Sequence, residues 1–190
     1  MNLSHYFIAI PLPRFLKRLF AEWQSGLQKY LPYKQWTHQE DFHITLKFLG
    51  PVSQMQLYKL LDSLHAVEGI PAFRVHAQDL GTFGNPVKPR VLWAGVEKKE
   101  ELLQLHHCVE GAATEAGFQR DSRTFAPHIT LAKKWNGGKM NVNSWLEQYS
   151  GQHIFNVDQV VVYKIFPGRT PKYTAVETFD LSRRGTEWHS

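Results

Sequence analysis

The chain has 190 residues and a mass of 22.0 kDa, with 43% hydrophobic residues, 13% aromatics and six tryptophans. That is enough apolar surface for one core, and it excludes both a multidomain assembly and dominant disorder. The 22 basic against 17 acidic residues leave a net charge of +5 and a pI near 9.3, which favours phosphate-bearing partners without requiring them. One cysteine, Cys108, excludes an intramolecular disulfide and a cysteine zinc cage, and reads as a small core residue of a helix. The longest apolar run, 6–12, falls far short of the roughly 20 residues of a membrane helix. No basic stretch or small-residue cleavage site precedes it, so the cytoplasm is the expected compartment and no membrane partner is expected.

In chain order, residues 6–10 read as a short buried strand. Pro13 then opens a helical pattern with Leu16, Leu19, Phe20, Trp23, Leu27 and Leu31 on one stripe. Residues 42–49 alternate as a strand, Ser53 is a predicted N-cap, and Leu57, Leu60, Leu61 and Leu64 mark a second amphipathic helix. Strands are predicted at 73–80 and 91–96, separated by a turn-rich stretch with Gly84, Asn85, Pro86 and Pro89. A third helix should run over 100–116 and end at Gly117. The second half repeats this rhythm: a strand at 128–133, a short helix near 142–149, and strands near 155–165 and 173–181. Several neighbouring strands are joined by turns too short for a crossover, so the expected class is α+β, with mixed or antiparallel sheets and helices on one face. Nothing in the composition separates independent domains, and the polar tail 183–190 is expected to fray.

The string His43-Ile44-Thr45-Leu46 recurs identically as His128-Ile129-Thr130-Leu131. In the first copy Phe42, Ile44, Leu46 and Phe48 alternate with His43, Thr45 and Lys47. Strand side chains point to opposite faces in turn, so the apolar set is assigned to the core and His43 and Thr45 share the other face. In the second copy Ile129 and Leu131 take the core face and leave His128 with Thr130. Residues i and i+2 of a strand lie about 6.5–7 Å apart, a span that a phosphate fits. If the two halves pack about an approximate two-fold axis, the histidines face one cleft from opposite sides, as in-line displacement at phosphorus asks. With an ordinary imidazole pKa near 6.5, one ring can be neutral and accept a proton from water while its charged partner donates one to the leaving oxygen. Thr45 and Thr130 can donate hydrogen bonds to the non-bridging oxygens.

A single His-x-Thr on a strand is also what the solvent face of an amphipathic sheet looks like. The same pair in the same register twice is not, because a solvated face tolerates any polar residue. A zinc site needs a third protein ligand; Asp41 could share the face of His43, but the second copy has Phe125-Ala126 there, so neither metal nor cofactor is expected. His38, His106 and His107 read as structural or surface residues, and Trp36, Phe48 and Phe125 as core rather than as platforms for a base.

At these residues the sequence resembles the 2H phosphoesterase superfamily, and within it the bacterial RNA 2′,3′-cyclic phosphodiesterases, historically called 2′-5′ RNA ligases. The resemblance runs through FIAIPLP at 7–13, Trp36, FHITLKFLG at 42–50, FG at 83–84, RVLWAGV at 90–96 and RTFAPHITLAK at 123–133. It implies a single two-lobed domain, each lobe a mainly antiparallel sheet with helices on its outer face and the active-site cleft between them. It also implies opening of a 2′,3′-cyclic phosphate to a 2′-phosphomonoester, with His43 as acid to the 3′ oxygen and His128 as base on water. Where the family often has Arg after the second motif, this chain has Lys133, which keeps the charge and loses the planar fork. A serine that the family commonly shows near Lys164 is missing, while Gly168, Arg169 and Tyr173 are present.

Arg123, Lys133, Lys134, Arg169 and Tyr173 are the candidates to cradle a nucleotide, with Arg123 foremost. The expected partner is RNA or a nucleotide bearing a 2′,3′-cyclic phosphate, and the expected state is a monomer. Two other readings stay open at this point: a binding module that holds such an end without turnover, and the same chemistry on ADP-ribose cyclic phosphate or 2′-5′ linked oligonucleotides.

Overall fold

Residues 3–139 and 141–183 are described in a computed structural model; of the tail expected to fray, only Arg183 lies among them. Strand β1 (Ser4–Pro11) carries the run Phe7-Ile8-Ala9-Ile10, buried on both faces. Helix α1 (Arg14–Leu27) follows with Pro13 as its N-cap, and it buries Leu16, Phe20 and Leu27 from the predicted stripe. A four-residue strand β2 (Tyr33–Trp36) and a 3₁₀ turn (Gln39–Asp41) lead into β3 (His43–Val52). Helix α2 (Gln54–Leu64) starts at a capping box: the Ser53 hydroxyl accepts from the Gln56 N–H, and the Gln56 side chain accepts from the Ser53 N–H.

Strands β4 (Phe73–Asn85) and β5 (Lys88–Val96) form a long hairpin that runs through the stretch read as turn. Helix α3 (Glu100–Glu115) ends as expected at Gly117, whose φ of +90° lets Phe118 N–H reach the Ala113 carbonyl and Gly117 N–H that of Thr114, a Schellman ending. After β6 (His128–Trp135) come a short helix α4 (Asn143–Leu146), β7 (His153–Val157), β8 (Gln159–Ile165) and β9 (Tyr173–Asp180). The single strand expected at 155–165 is thus two, which pair with different neighbours on opposite sides of Asp158. Strand β2 gave no signal in the sequence because Lys34 and Gln35 are exposed and four residues are too few to show a period.

The described strands join one antiparallel sheet in the order β7-β4-β5-β6-β3-β1-β8-β9, with β2 on the other flank of β6. At its centre β3 and β6 meet through one residue pair, Ile44 with Ile129, so the sheet has two halves, each carrying one copy of the tetrapeptide at the junction. The helices cover the outer faces crosswise. Helix α1 lies behind the β6 half, where the Gln24 amide donates to the Thr37 and Leu131 carbonyls. Helices α2 and α3 lie behind the β3 half, where Lys47 reaches Glu110. The expected class, α+β with two antiparallel lobes and outer helices, describes this arrangement.

One correction concerns alternation in β3. Along β1, Ile8 and Ala9 are consecutive, but their partners are Lys47 and Thr45, so Leu46 is an extra residue and β3 bulges there. A bulge swaps the faces of everything beyond it. Lys47, expected beside His43 and Thr45, is therefore buried at 5% exposure, and Phe48, expected in the core, is 60% exposed. Strand β6 bulges at the equivalent residue: Leu92 and Trp93 pair with Ala132 and Thr130, leaving Leu131 unmatched. The repeat is thus one of backbone geometry as well as of sequence.

Candidate active site

Where the two tetrapeptides meet, a cleft of about 370 Å³ opens on the polar face of β3 and β6. His43, Thr45, His128, Thr130, Arg123, Lys133 and Tyr173 all line it. The register through Ile44 and Ile129 sets His43 across from Thr130 and Thr45 across from His128. The two histidines are then diagonal neighbours, a relation that spaces side chains by about 7–8 Å.

Each imidazole is held in the same way. His43 Nδ1–H donates to the Asp41 carbonyl at 2.7 Å, and His128 Nδ1–H donates to the Ala126 carbonyl at 2.8 Å. A carbonyl can only accept, so both rings carry the Nδ1 proton and keep Nε2 for the cleft. His43 Nε2 takes a hydrogen bond from the Thr45 hydroxyl at 3.0 Å.

Different aromatic walls surround the two rings. Phe7 and Tyr173 close on His43, with centroids at 4.7 and 5.3 Å, and Tyr163 lies behind at 6.4 Å. Phe83 meets His128 edge-on at 4.9 Å, with Trp93 at 6.4 Å. Trp93 in turn lies over Gly81, where a Cβ would clash with its ring.

Burial lowers the pKa of both rings, because a low-dielectric site disfavours the charged form. His43 falls to about 4: burial outweighs the Asp41 carbonyl, which favours the charged form, and repulsion from Lys133 and His128 adds to it. His128 is lowered by burial and by Lys133, against the pull of the Ala126 carbonyl. Lys133 is itself lowered, first by burial and then by Lys172.

Asp41 works on both sides of His43. Its carbonyl orients the ring, and its buried carboxylate accepts the backbone N–H groups of Lys172 (2.9 and 3.0 Å) and Tyr173 (3.2 Å). The start of β9 is thereby pinned so that Tyr173 covers the imidazole. With its carboxylate so occupied, Asp41 is not turned toward the cleft as a metal ligand, and no group of three His, Cys, Asp or Glu side chains suited to a metal occurs among the described residues.

Buried Lys47 supports the other wall. Its ammonium donates to Glu110 Oε1 at 2.8 Å and to the Gln119 carbonyl at 2.9 Å, while Glu110 Oε2 accepts Asp121 N–H at 3.2 Å. This holds the segment that carries Arg123, Phe125 and Ala126 down onto α3.

Several candidate residues take positions that local pattern alone does not set. Arg123 stands at the rim with its side chain 81% exposed and forks onto Asp121 at 3.1 and 2.9 Å, rather than reaching freely inward. Phe48 lines the cleft instead of the core, while Phe125 packs against the core and also lines the cleft, stacked on His106 at 4.0 Å, which makes His106 part of the wall. Lys134 and Arg169 do not line this cleft; the Arg169 guanidinium lies over Phe166. The sequence reading also passed over Phe83. Alternation from the buried Phe73, Val75 and Ala77 sets it on the core face, and the bulge between Ala77 and Leu80 turns it into the cleft instead.

An antiparallel sheet that brings two copies of one His-x-Thr strand to a single cleft defines a bilobal, two-histidine class of protein. The chain belongs to the 2′-5′ RNA ligase superfamily, whose model matches residues 12–165. It is 37% identical over 183 residues to the RNA 2′,3′-cyclic phosphodiesterase of Geobacillus stearothermophilus, covering 95% of this chain and 58% of that protein. It is 32% identical over 179 residues to the enzyme of the same name from Bacillus subtilis (strain 168), covering 94% and 97%. The chain thus spans little more than half of the first relative and nearly all of the second. In fold it is similar to E. coli LigT, crystallised in complex with 3′-AMP, with a TM-score of 0.76 at 23% identity over 94% of this chain and 98% of that one.

Proposed function

We propose that this protein hydrolyses 2′,3′-cyclic phosphate ends of RNA or nucleotides to 2′-phosphomonoesters by paired histidine acid–base catalysis. The observation that carries the reading is the matched presentation of two Nε2 atoms, each fixed by an Nδ1–H bond to a carbonyl, in one cleft. The relatives named for this activity support the substrate class.

His128 takes a proton from water as the water oxygen forms its bond to phosphorus. The P–O3′ bond breaks on the opposite side, and O3′ receives the proton of the His43 imidazolium. The product carries the phosphate on O2′, and solvent returns the two rings to their starting states. Thr45 and Thr130 donate hydrogen bonds to the non-bridging oxygens as charge gathers there, with Lys133 as the nearby cation. Burial by itself keeps His43 neutral. Its proton therefore enters with the anionic substrate, whose charge replaces the lost solvation. Once charged, the imidazolium is far more acidic than an alcohol and gives its proton to the departing alkoxide. The exposed face of Phe48 and the Tyr173 ring are placed to receive the nucleoside.

The test is turnover of a nucleoside 2′,3′-cyclic phosphate in excess chelator with identification of the product. A 2′-phosphate formed at an undiminished rate supports the reading. Activity that disappears with chelator and returns with zinc would overturn the mechanism.

A further inference from the structure

A second cavity, of about 640 Å³, lies beside the first and shares Thr37, Lys133 and Tyr173 with it, so the two form one continuous depression. Its walls come from α1, β2 and residues 170–173. Their chemistry differs from that of the catalytic cleft. Three lysines, Lys34, Lys133 and Lys172, line it, and none forms an ion pair among the described residues. The only acid in the lining is Asp41, whose carboxylate is taken up by two backbone N–H groups. His38, hydroxyl side chains, neutral amides including Gln28 and Gln35, and the indole of Trp36 make up most of the rest of the surface.

We propose that this groove is the track for the RNA strand on the 5′ side of the cyclic phosphate, a reading that rests on the proposed activity. A cyclic phosphate closes the 2′ and 3′ oxygens of the terminal ribose, so the rest of a polynucleotide can leave only through the 5′ oxygen. The strand must exit by one mouth of the cleft. At the Arg123 mouth the cation is already matched by Asp121, whereas the Lys133 mouth opens onto unmatched cations. Such cations offer backbone phosphates a favourable field. Glutamine amides both donate and accept, as a 2′-hydroxyl requires, and Trp36, expected in the core, is only partly buried there and lines the groove, where an aromatic ring can meet a base. The groove therefore selects an oligomeric RNA end over a mononucleotide.

The experiment compares kcat/KM for a nucleoside 2′,3′-cyclic phosphate with that for a tetranucleotide ending in the same group, in the wild type and in a Lys34→Glu, Gln28→Glu double variant. Both positions are exposed and lie outside the catalytic cleft, and equal thermal midpoints verify folding. The wild type should prefer the tetranucleotide, and the preference should shrink with salt. The double variant should lose about tenfold on the tetranucleotide alone, because carboxylates then stand beside phosphates. No preference in the wild type, or equal losses on both substrates, would overturn the track. Should the wild type turn over neither substrate, the activity reading fails, and binding of a 3′-phosphorylated tetranucleotide by fluorescence anisotropy decides the track by itself. Salt-dependent binding weakened in the variant supports it; unaltered or undetectable binding overturns it.

Discussion

The two copies of the tetrapeptide share a backbone and differ in what surrounds it. In both, a residue two positions upstream supplies the carbonyl that fixes the ring, and in both a bulge at the leucine turns the next residue inward and the one after it into the cleft. Beyond those bulges the halves part. Strand β3 buries Lys47 and presents Phe48, while β6 buries Ala132 and presents Lys133. Upstream, β3 has the doubly employed Asp41 where β6 has Ala126, which offers only its carbonyl. The lesson is a division of labour: duplicated backbone supplies two equivalent bases, and unequal neighbours give them unequal acidity and the cleft unlike ends, one aromatic and one cationic.

The largest expected effect comes from removing either ring. His43→Ala and His128→Ala should each lower kcat by about 10²- to 10⁴-fold, and the double variant should lose little more, because the two act as a unit. Steady-state kinetics on a cyclic nucleotide with matched thermal midpoints measures this; a His43→Ala enzyme with near-normal kcat would break the equivalence of the copies.

Next is the buried Lys47–Glu110 ion pair of the β3 half. Glu110→Ala leaves the Lys47 ammonium buried without its partner and should cost about 3–5 kcal/mol in urea unfolding. The double replacement Lys47→Met, Glu110→Met, which removes both charges together, should cost less. Equal losses would mean that the carboxylate, through its bond to Asp121 N–H, matters more than the charge pair.

The pH dependence sharpens the contrast between the rings. With both pKa values below the ordinary one, the bell for kcat/KM should lie on the acid side, its lower limb near the value of about 4 for His43. Substrate anion favours the charged rings, so the bell for kcat should lie at higher pH. Coincident bells would show that substrate charge does not reach the rings. Stability follows the same group. Between its ordinary value near 6.5 and about 4 the unfolded chain binds more protons at His43 than the folded one, so stability rises with pH across that window and is lost as pH falls through it. His43→Asn should flatten that part of a urea-midpoint profile.

The smallest effect belongs to the exposed ring. Phe48→Ala should change stability by less than about 0.5 kcal/mol. It should raise KM about fivefold or more if a base stacks there, in line with roughly 1–3 kcal/mol per stacked base. An unchanged KM would leave Tyr173 as the platform.

Much of this architecture was legible in the chain. The apolar stripe of α1, the Ser53 cap and the Gly117 ending are local patterns governed by helix periodicity and terminal hydrogen bonding, and they stand where the residues place them. So do His43, Thr45, His128 and Thr130, since strand alternation over four residues suffices to set them on one face. Lys47 and Phe48 were misassigned because a bulge is decided by the partner strand: nothing within 42–49 marks Leu46 as the unmatched residue. Lys133 reaches the cleft only through the equivalent bulge in β6. Arg123 lines the cleft as a candidate substrate contact, and its direction at the rim is set by Asp121, two residues away.

The amino-acid sequence by itself determined the helices, the duplicated His-x-Thr strands and the kind of chemistry they suit, because these depend on side-chain period and intrinsic acidity within a few residues. Only the tertiary structure decided which residues stand between the two histidines and around them. Bulges, the crosswise packing of the helices and the pinning of β9 by Asp41 arise from pairing between segments far apart in the chain, where no local rule reaches. Burial, which moves His43 away from an ordinary imidazole, is likewise a property of the assembled walls and of no single residue.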